Sequence, residues 1–123
     1  MKLRGDIETA VCEGMRRFAH DFMGLGPKDI DVHLNGVVLL IRLQSMLTPA
    51  ERRLVQTLPP ENGRDLLKQA RRQLIEASRH VMEAMIREVT GVKVVSLHHD
   101  ISTVTGEEVV VFTLDNSPCR RLP

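Results

Sequence analysis

Residues 29–43, DIDVHLNGVVLLIRL, determine the predicted arrangement of the chain. Polar and apolar side chains alternate over residues 29–34, as they do in a half-buried strand. Asn35-Gly36 is the two-residue signal of a tight hairpin turn. Residues 37–43 return as a strand that is apolar on both faces until Arg42. The stretch therefore predicts an antiparallel hairpin whose second strand is the more deeply buried one.

Helical patterns flank this hairpin on both sides. Apolar residues recur at helical spacing over residues 6–23, and the glycines and proline of residues 24–27 end that helix. Thr48 and Glu51 have the spacing of a capping box, which predicts a short helix to about residue 57. Pro59-Pro60 then separates it from a long helix over residues 62–90.

A second hairpin follows the long helix, with strands predicted at 92–101 and 107–114 around a turn at 103–106. The order helix, hairpin, short helix, long helix, hairpin predicts an α+β fold. We expect a two-layer sandwich with the helices on one face of a four-stranded antiparallel sheet. The second and fourth strands are expected at its centre. One domain is predicted over residues 1–115, with a frayed tail over 116–123.

Composition narrows the classes of function. The 123 residues are 42% hydrophobic and 27% charged, which fits one folded domain. The net charge is +1, and the aromatic residues are three Phe with no Trp or Tyr, so nucleic-acid binding is not expected. Cys12 and Cys119 are expected to be reduced thiols. No apolar run is long enough to span a membrane, so we predict a cytoplasmic protein whose membrane role would require a partner.

The long helix has an apolar arc wider than one core-facing stripe. The arc includes Ala70, Ala77 and Ala84 in heptad steps, which would let another helix approach closely. That helix is either the first helix of the same chain or a helix of a second subunit. The outer sheet face would also be partly apolar, at Val38, Leu40, Val109 and Val111. Because exposed apolar patches usually mark interfaces, we predict a homodimer.

Five basic residues of the long helix form a candidate binding site. Arg64 and Arg71 lie inside the apolar arc, whereas Lys68, Arg72 and Arg79 lie on the adjoining flank. The flank is either a solvated face with internal ion pairs or a site for an anion or acidic partner, because guanidinium matches phosphate and carboxylate. Arg64 and Arg71 are expected to matter most, since a charge away from water needs an acceptor. That acceptor is either internal, with Asp100 or the C-terminal carbonyls of another element as candidates, or external, as a bound anion or an acidic residue of a partner.

His98, His99 and Asp100 are the remaining candidates for chemistry. Strand alternation places His98 and Asp100 on one face and His99 on the other. A metal site needs three or four convergent ligands, so we expect no metal and no cofactor. No nucleophile has a visible base, and no catalytic residue is predicted; a hydrolase built on His98 and Asp100 is the third hypothesis.

Five segments carry a family resemblance: GLGPKDI (24–30), MLTPAERRLVQT (46–57), GRDLLKQARRQL (63–74), GVKVVSLHHDIST (91–103) and VVVFTL (109–114). Through these segments the chain resembles the MpsC-like family, a bacterial domain of unknown function. Leu25 departs from the family pattern, in which a basic residue often occupies this position. The resemblance implies association with a cation-translocating, membrane-potential-generating system and with inorganic-carbon uptake. The matched positions Arg64, Arg71, Asp100 and Thr103 are candidates for a shared feature.

The first hypothesis is therefore a non-enzymatic accessory or regulatory protein that acts with a bacterial membrane transport system. The alternative is a small anion or nucleotide sensor that binds through the arginine flank. The candidate ligand- or partner-binding residues are Arg64, Lys68, Arg71, Arg72, Arg79, His98, Asp100 and Thr103.

Overall fold

Three helices and four strands make up the fold in a computed structural model that describes residues 3–24, 26–57 and 60–119. The helices are α1 (Arg4–Phe18, continued by a π-helical turn at Ala19–Met23), α2 (Pro49–Thr57) and α3 (Pro60–Thr90). The strands are β1 (Ile30–Asn35), β2 (Val38–Leu43), β3 (Val94–Ile101) and β4 (Glu108–Leu114). The predicted order of elements is confirmed.

The strands form one antiparallel sheet in the order β1-β2-β4-β3. The α+β prediction is therefore confirmed, and so is the placement of the second and fourth strands at the centre. Alternate side chains of each strand face the helices and are buried with them. The core contains Ile7, Val11, Met15, Leu39, Ile41, Ile75, Met82, Ile86, Val110 and Phe112.

The first hairpin turns one residue later than its sequence signal indicates. Asn35 pairs with Val38, so Gly36 and Val37 form the loop, whereas Asn35-Gly36 was predicted there. Gly36 has φ 61°, a left-handed conformation that costs glycine little. The position of the left-handed residue sets the register, and it leaves Asn35 in the ladder.

The capping box at the start of α2 is confirmed. The amide of Thr48 donates to Glu51 Oε1 at 2.9 Å, and the amide of Glu51 donates to Thr48 Oγ1 at 3.1 Å. The break predicted after α2 is only partly visible, because Pro60 begins α3 and Pro59 lies outside the described residues. Leu25 also lies outside them.

The predicted domain boundary at residue 115 follows directly on the end of β4 at Leu114. Beyond it, Pro118 is buried and Cys119 packs against the core. Residues 120–123 of the predicted tail lie outside the described part of the chain, and the division into domain and tail stays a prediction.

Gly63 allows α2 and α3 to pack closely. A Cβ at this position would lie 2.9 Å from the carbonyl oxygen of Leu54 and 3.0 Å from the Cα of Val55, and neither backbone atom moves easily. We expect Gly63→Ala to lower the free energy of unfolding by about 1 kcal/mol, because the steric cost exceeds the gain in helix propensity. Urea unfolding measures the change. Gly5→Ala in α1 is the control, since no atom lies within 4 Å of its Cβ position. A stabilised Gly63→Ala variant would contradict the prediction.

Candidate functional site

Arg71 is the centre of a buried ion-pair network. It lies in the middle of α3, and its side chain is 7% exposed. Its Nε donates to Glu51 Oε2 at 3.2 Å and its Nη2 to Glu51 Oε1 at 2.9 Å. Nη2 also donates to the backbone carbonyl of Met46. The prediction that Arg71 faces the buried side is confirmed, and the structure supplies an internal acceptor.

Glu51 has two roles in this network. Its carboxylate accepts from the amide of Thr48 as part of the α2 capping box, and it also accepts two bonds from Arg71. The paired geometry is the one in which guanidinium and carboxylate bind most strongly. The start of α2, the loop before it and the middle of α3 are consequently held together by one arginine.

Glu108 is the second carboxylate near Arg71. It begins β4 with the same facing as Val110 and Phe112, so it points toward the helices and is 2% exposed. Its Oε1 lies 3.9 Å from Arg71 Nη1, whereas Oε2 has no hydrogen-bond partner among the residues that the structure describes. Burial raises the pKa of Glu108 to about 7, although the charge of Arg71 opposes the rise. Glu108 is therefore a group that exchanges a proton near neutral pH.

Two residues of the basic flank, Lys68 and Arg79, are also paired with carboxylates. Lys68 Nζ donates to both oxygens of Asp100, at 3.0 and 3.3 Å. This hydrogen bond keeps the pKa of Asp100 below its ordinary value. Arg79 donates to Glu83 at 2.9 Å and to Glu76 at 3.1 Å. Asp100 was proposed as an internal acceptor for Arg71, and that assignment is wrong because Asp100 binds Lys68 instead.

Arg64 does not share the environment of Arg71. Its side chain is 52% exposed, and its Nε lies 3.6 Å from Asp65. The prediction that both arginines lie where water is scarce is therefore wrong for Arg64. The helical wheel gives only the angle around the axis, and two turns separate the residues by about 10 Å along it. The cover that buries Arg71 does not extend to the first turn of α3.

The two histidines lie on opposite faces of β3, as predicted. His99 faces the helices, with Nε2 3.7 Å from Glu76, and burial holds its pKa below the ordinary value. His98 is exposed on the outer face with Asp100. Thr103 lies in the turn between β3 and β4. The pairing of Asp100 with Lys68 gives no support to a hydrolytic His98–Asp100 pair.

Four of the eight candidate residues line one narrow cavity. Its walls are Lys68, Arg71, Arg72, His99, Asp100, Ile101 and Glu108, and its volume is about 10 Å³. A volume of that size holds about one water molecule and excludes a nucleotide. Arg64, Arg79, His98 and Thr103 do not line it. Within residues 3–24, 26–57 and 60–119, no group of three His, Cys, Asp or Glu side chains is arranged to hold a metal ion.

Two residues of the network were not among the candidates. Glu51 was assigned only a capping role, and Glu108 was not singled out. A signal for Glu108 was present, because strand alternation places it with Val110, Phe112 and Leu114 on the buried face. A charged residue at an inward position requires a partner, and Arg71 is the cation that meets it.

These features define a small α+β protein with one antiparallel sheet and buried charges paired within the chain. A profile of the family described as Na+-translocating membrane potential-generating system (MpsC) matches residues 3–116. The chain therefore belongs to the MpsC family, which confirms the resemblance. A Bacillus subtilis (strain 168) protein named "Uncharacterized protein YbcI" is 31% identical over 115 residues, which cover 94% of this chain and 90% of that protein. No solved structure matches the chain significantly. None of the described helices has the length and apolar character needed to cross a membrane.

Proposed function

We propose that this protein is a non-enzymatic accessory or regulatory component of a bacterial membrane system that transports cations or inorganic carbon. It acts in the cytoplasm as a homodimer and binds a membrane subunit through protein contacts. Membership of the MpsC family supports the link to transport, since the family description names a Na+-translocating system.

The observation that carries the proposal is the outer face of the sheet. Its centre is apolar, and its edges present His33 on β1 and His98 on β3 in the same row. Val38 is 41% exposed, and Leu40, Val109 and Val111 are half-buried. An apolar centre with a polar rim is typical of a surface that binds another protein.

The pairing of basic residues on α3 favours a protein-binding accessory component over an anion or nucleotide sensor. Lys68, Arg71 and Arg79 already bind carboxylates of the same chain, and the cavity lined by Lys68 and Arg71 admits about one water. A phosphate group would have to displace those carboxylates. A rise in melting temperature on addition of phosphate or ATP would favour the sensor instead.

Affinity capture from cells that contain the transport system tests the proposal. We expect the immobilised wild-type protein to retain a transport subunit identified by mass spectrometry. Val38→Asp should lose it, because Val38 is an exposed apolar side chain of this face and a charge there must be desolvated on binding. Val104→Asp is the matched control, since Val104 is 86% exposed in the β3–β4 turn. The proposal would be contradicted if the wild type retained no transport subunit. It would also be contradicted if Val38→Asp and Val104→Asp retained the subunit equally.

A further inference from the structure

An apolar face of α3 is left largely uncovered by the other residues that the structure describes. It consists of Leu66, Ala70, Leu74, Ala77, Val81 and Ala84, and we call it the α3 apolar face. Leu66 is 50% and Leu74 is 38% exposed, and the three alanines are exposed as well. At about 1.5 Å per residue the face is about 27 Å long. It contains no charged side chain.

The first helix of the same chain does not cover this face. α1 meets α3 at Gly14, where an added Cβ would lie 2.5 Å from the sulfur of Met85. Beside that contact a groove of about 450 Å³ runs between the two helices. Phe18 and Phe22 line it from α1 and its π-helical turn, and Val81 and Ala84 line it from α3. The groove is thus continuous with one end of the α3 apolar face.

We propose that the α3 apolar face binds the same face of a second copy, with the two helices antiparallel across a two-fold axis near residues 74–77. The inference rests on the homodimer in the proposed function and names the surface that forms it. A two-fold axis at this point places large residues opposite small ones. Leu74 meets the partner's Ala77, and Val81 meets the partner's Ala70.

The same axis gives each groove an occupant. Leu66 of one copy comes level with residues 84–85 of the other, so it enters the groove lined by Phe18 and Phe22. Small side chains at the crossing let the helix axes approach to about 8 Å. The apolar face therefore pairs along its whole length, and the exposed leucines leave water.

The distribution of charge selects the antiparallel orientation. Apart from the buried Arg71, residues 60–72 carry three basic and two acidic side chains, whereas residues 76–88 carry two basic and three acidic ones. An antiparallel pair sets the basic half of each helix beside the acidic half of the other. A parallel pair would place halves of the same net charge beside each other, which is unfavourable. This opposite charge of the two halves identifies a second copy of the chain as the fitting partner.

Light scattering of the purified chain at micromolar concentration tests the proposal. We expect wild type to have twice the mass of one chain and Ala77→Glu to have the mass of one chain, because the variant buries two charges near the axis. Ala50→Glu is the matched control at an exposed alanine of α2 and should remain a dimer. Circular dichroism checks that Ala77→Glu stays folded.

Oxidative crosslinking tests the orientation. The double variant L66C/A84C should form a covalent dimer, and neither single variant should do so to a comparable extent.

A monomeric wild type would overturn both the homodimer and this interface. A dimer that survives Ala77→Glu but dissociates in Val38→Asp would retain the homodimer and move its interface to the sheet, which overturns the present inference alone.

Discussion

Replacing Arg71 with alanine is expected to lower the free energy of unfolding by about 3 kcal/mol. The substitution removes both bonds to Glu51 and the bond to the Met46 carbonyl. It also leaves Glu108, 2% exposed, without its neighbouring cation. Breaking a fully buried pair costs about 3–5 kcal/mol. The lower end applies because Glu51 is 25% exposed and regains some hydration.

Urea unfolding at pH 7 measures this effect, with Arg72→Ala as the neighbouring control. Arg72 is exposed, so its removal should change stability by less than about 0.5 kcal/mol. Arg71→Lys should recover only part of the loss, because an ammonium group cannot reproduce the paired bonds to one carboxylate. Equal effects of Arg71→Ala and Arg72→Ala would show that the network contributes no stability.

Most of the fold was predictable because its signals are local. Strand alternation, the capping box of Thr48 and Glu51, and the apolar character of the second and fourth strands each depend on a few neighbouring residues. The one-residue shift of the hairpin loop was not predictable from Asn35-Gly36, because either residue can occupy a left-handed position and only Gly36 does so.

The candidate site was less predictable because it depends on tertiary cover. Helical periodicity places Arg64 and Arg71 on the same side of α3. Only Arg71, however, lies beneath the α2 segment and β4. Glu51 and Glu108 are 57 residues apart in the numbering and meet only through Arg71. No local pattern links them, although the inward position of Glu108 was available as a signal.

The pairing of Lys68 with Asp100 shows the same dependence. Asp100 points to the outer face by strand alternation, and its strand lies at the edge of the sheet. A long side chain from α3 can reach around that edge, which alternation alone does not describe. The edge position of β3 was predicted, whereas the reach of Lys68 around that edge to Asp100 was not.

Glu108→Gln is expected to change how stability depends on pH. The folded pKa of Glu108 is raised from 4.5 to about 7, so the folded state holds this proton more tightly than the unfolded state. Its contribution to stability is fully present below about pH 4.5 and is lost as the pH rises through 7. At about 1.4 kcal/mol per pKa unit, the loss is about 3 kcal/mol. The charged groups that act on it are Arg71 of α3, Glu51 of α2 and Asp100 of β3.

Glutamine imitates the protonated carboxyl and cannot ionise. The stability of Glu108→Gln relative to wild type should therefore increase as the pH rises. We expect equal stability near pH 4.5 and an advantage of about 3 kcal/mol for Glu108→Gln at pH 8, measured by urea unfolding across the range. Burial lowers the pKa of His99 in both proteins, and taking the difference between them removes its effect. Glu107→Gln is the adjacent control, because hydrogen bonds from Arg42 and Gln44 keep the pKa of Glu107 below its ordinary value. Its difference from wild type should stay constant between pH 5 and 8. A constant difference for Glu108→Gln as well would show that Glu108 is ionised throughout, with Arg71 as its effective partner.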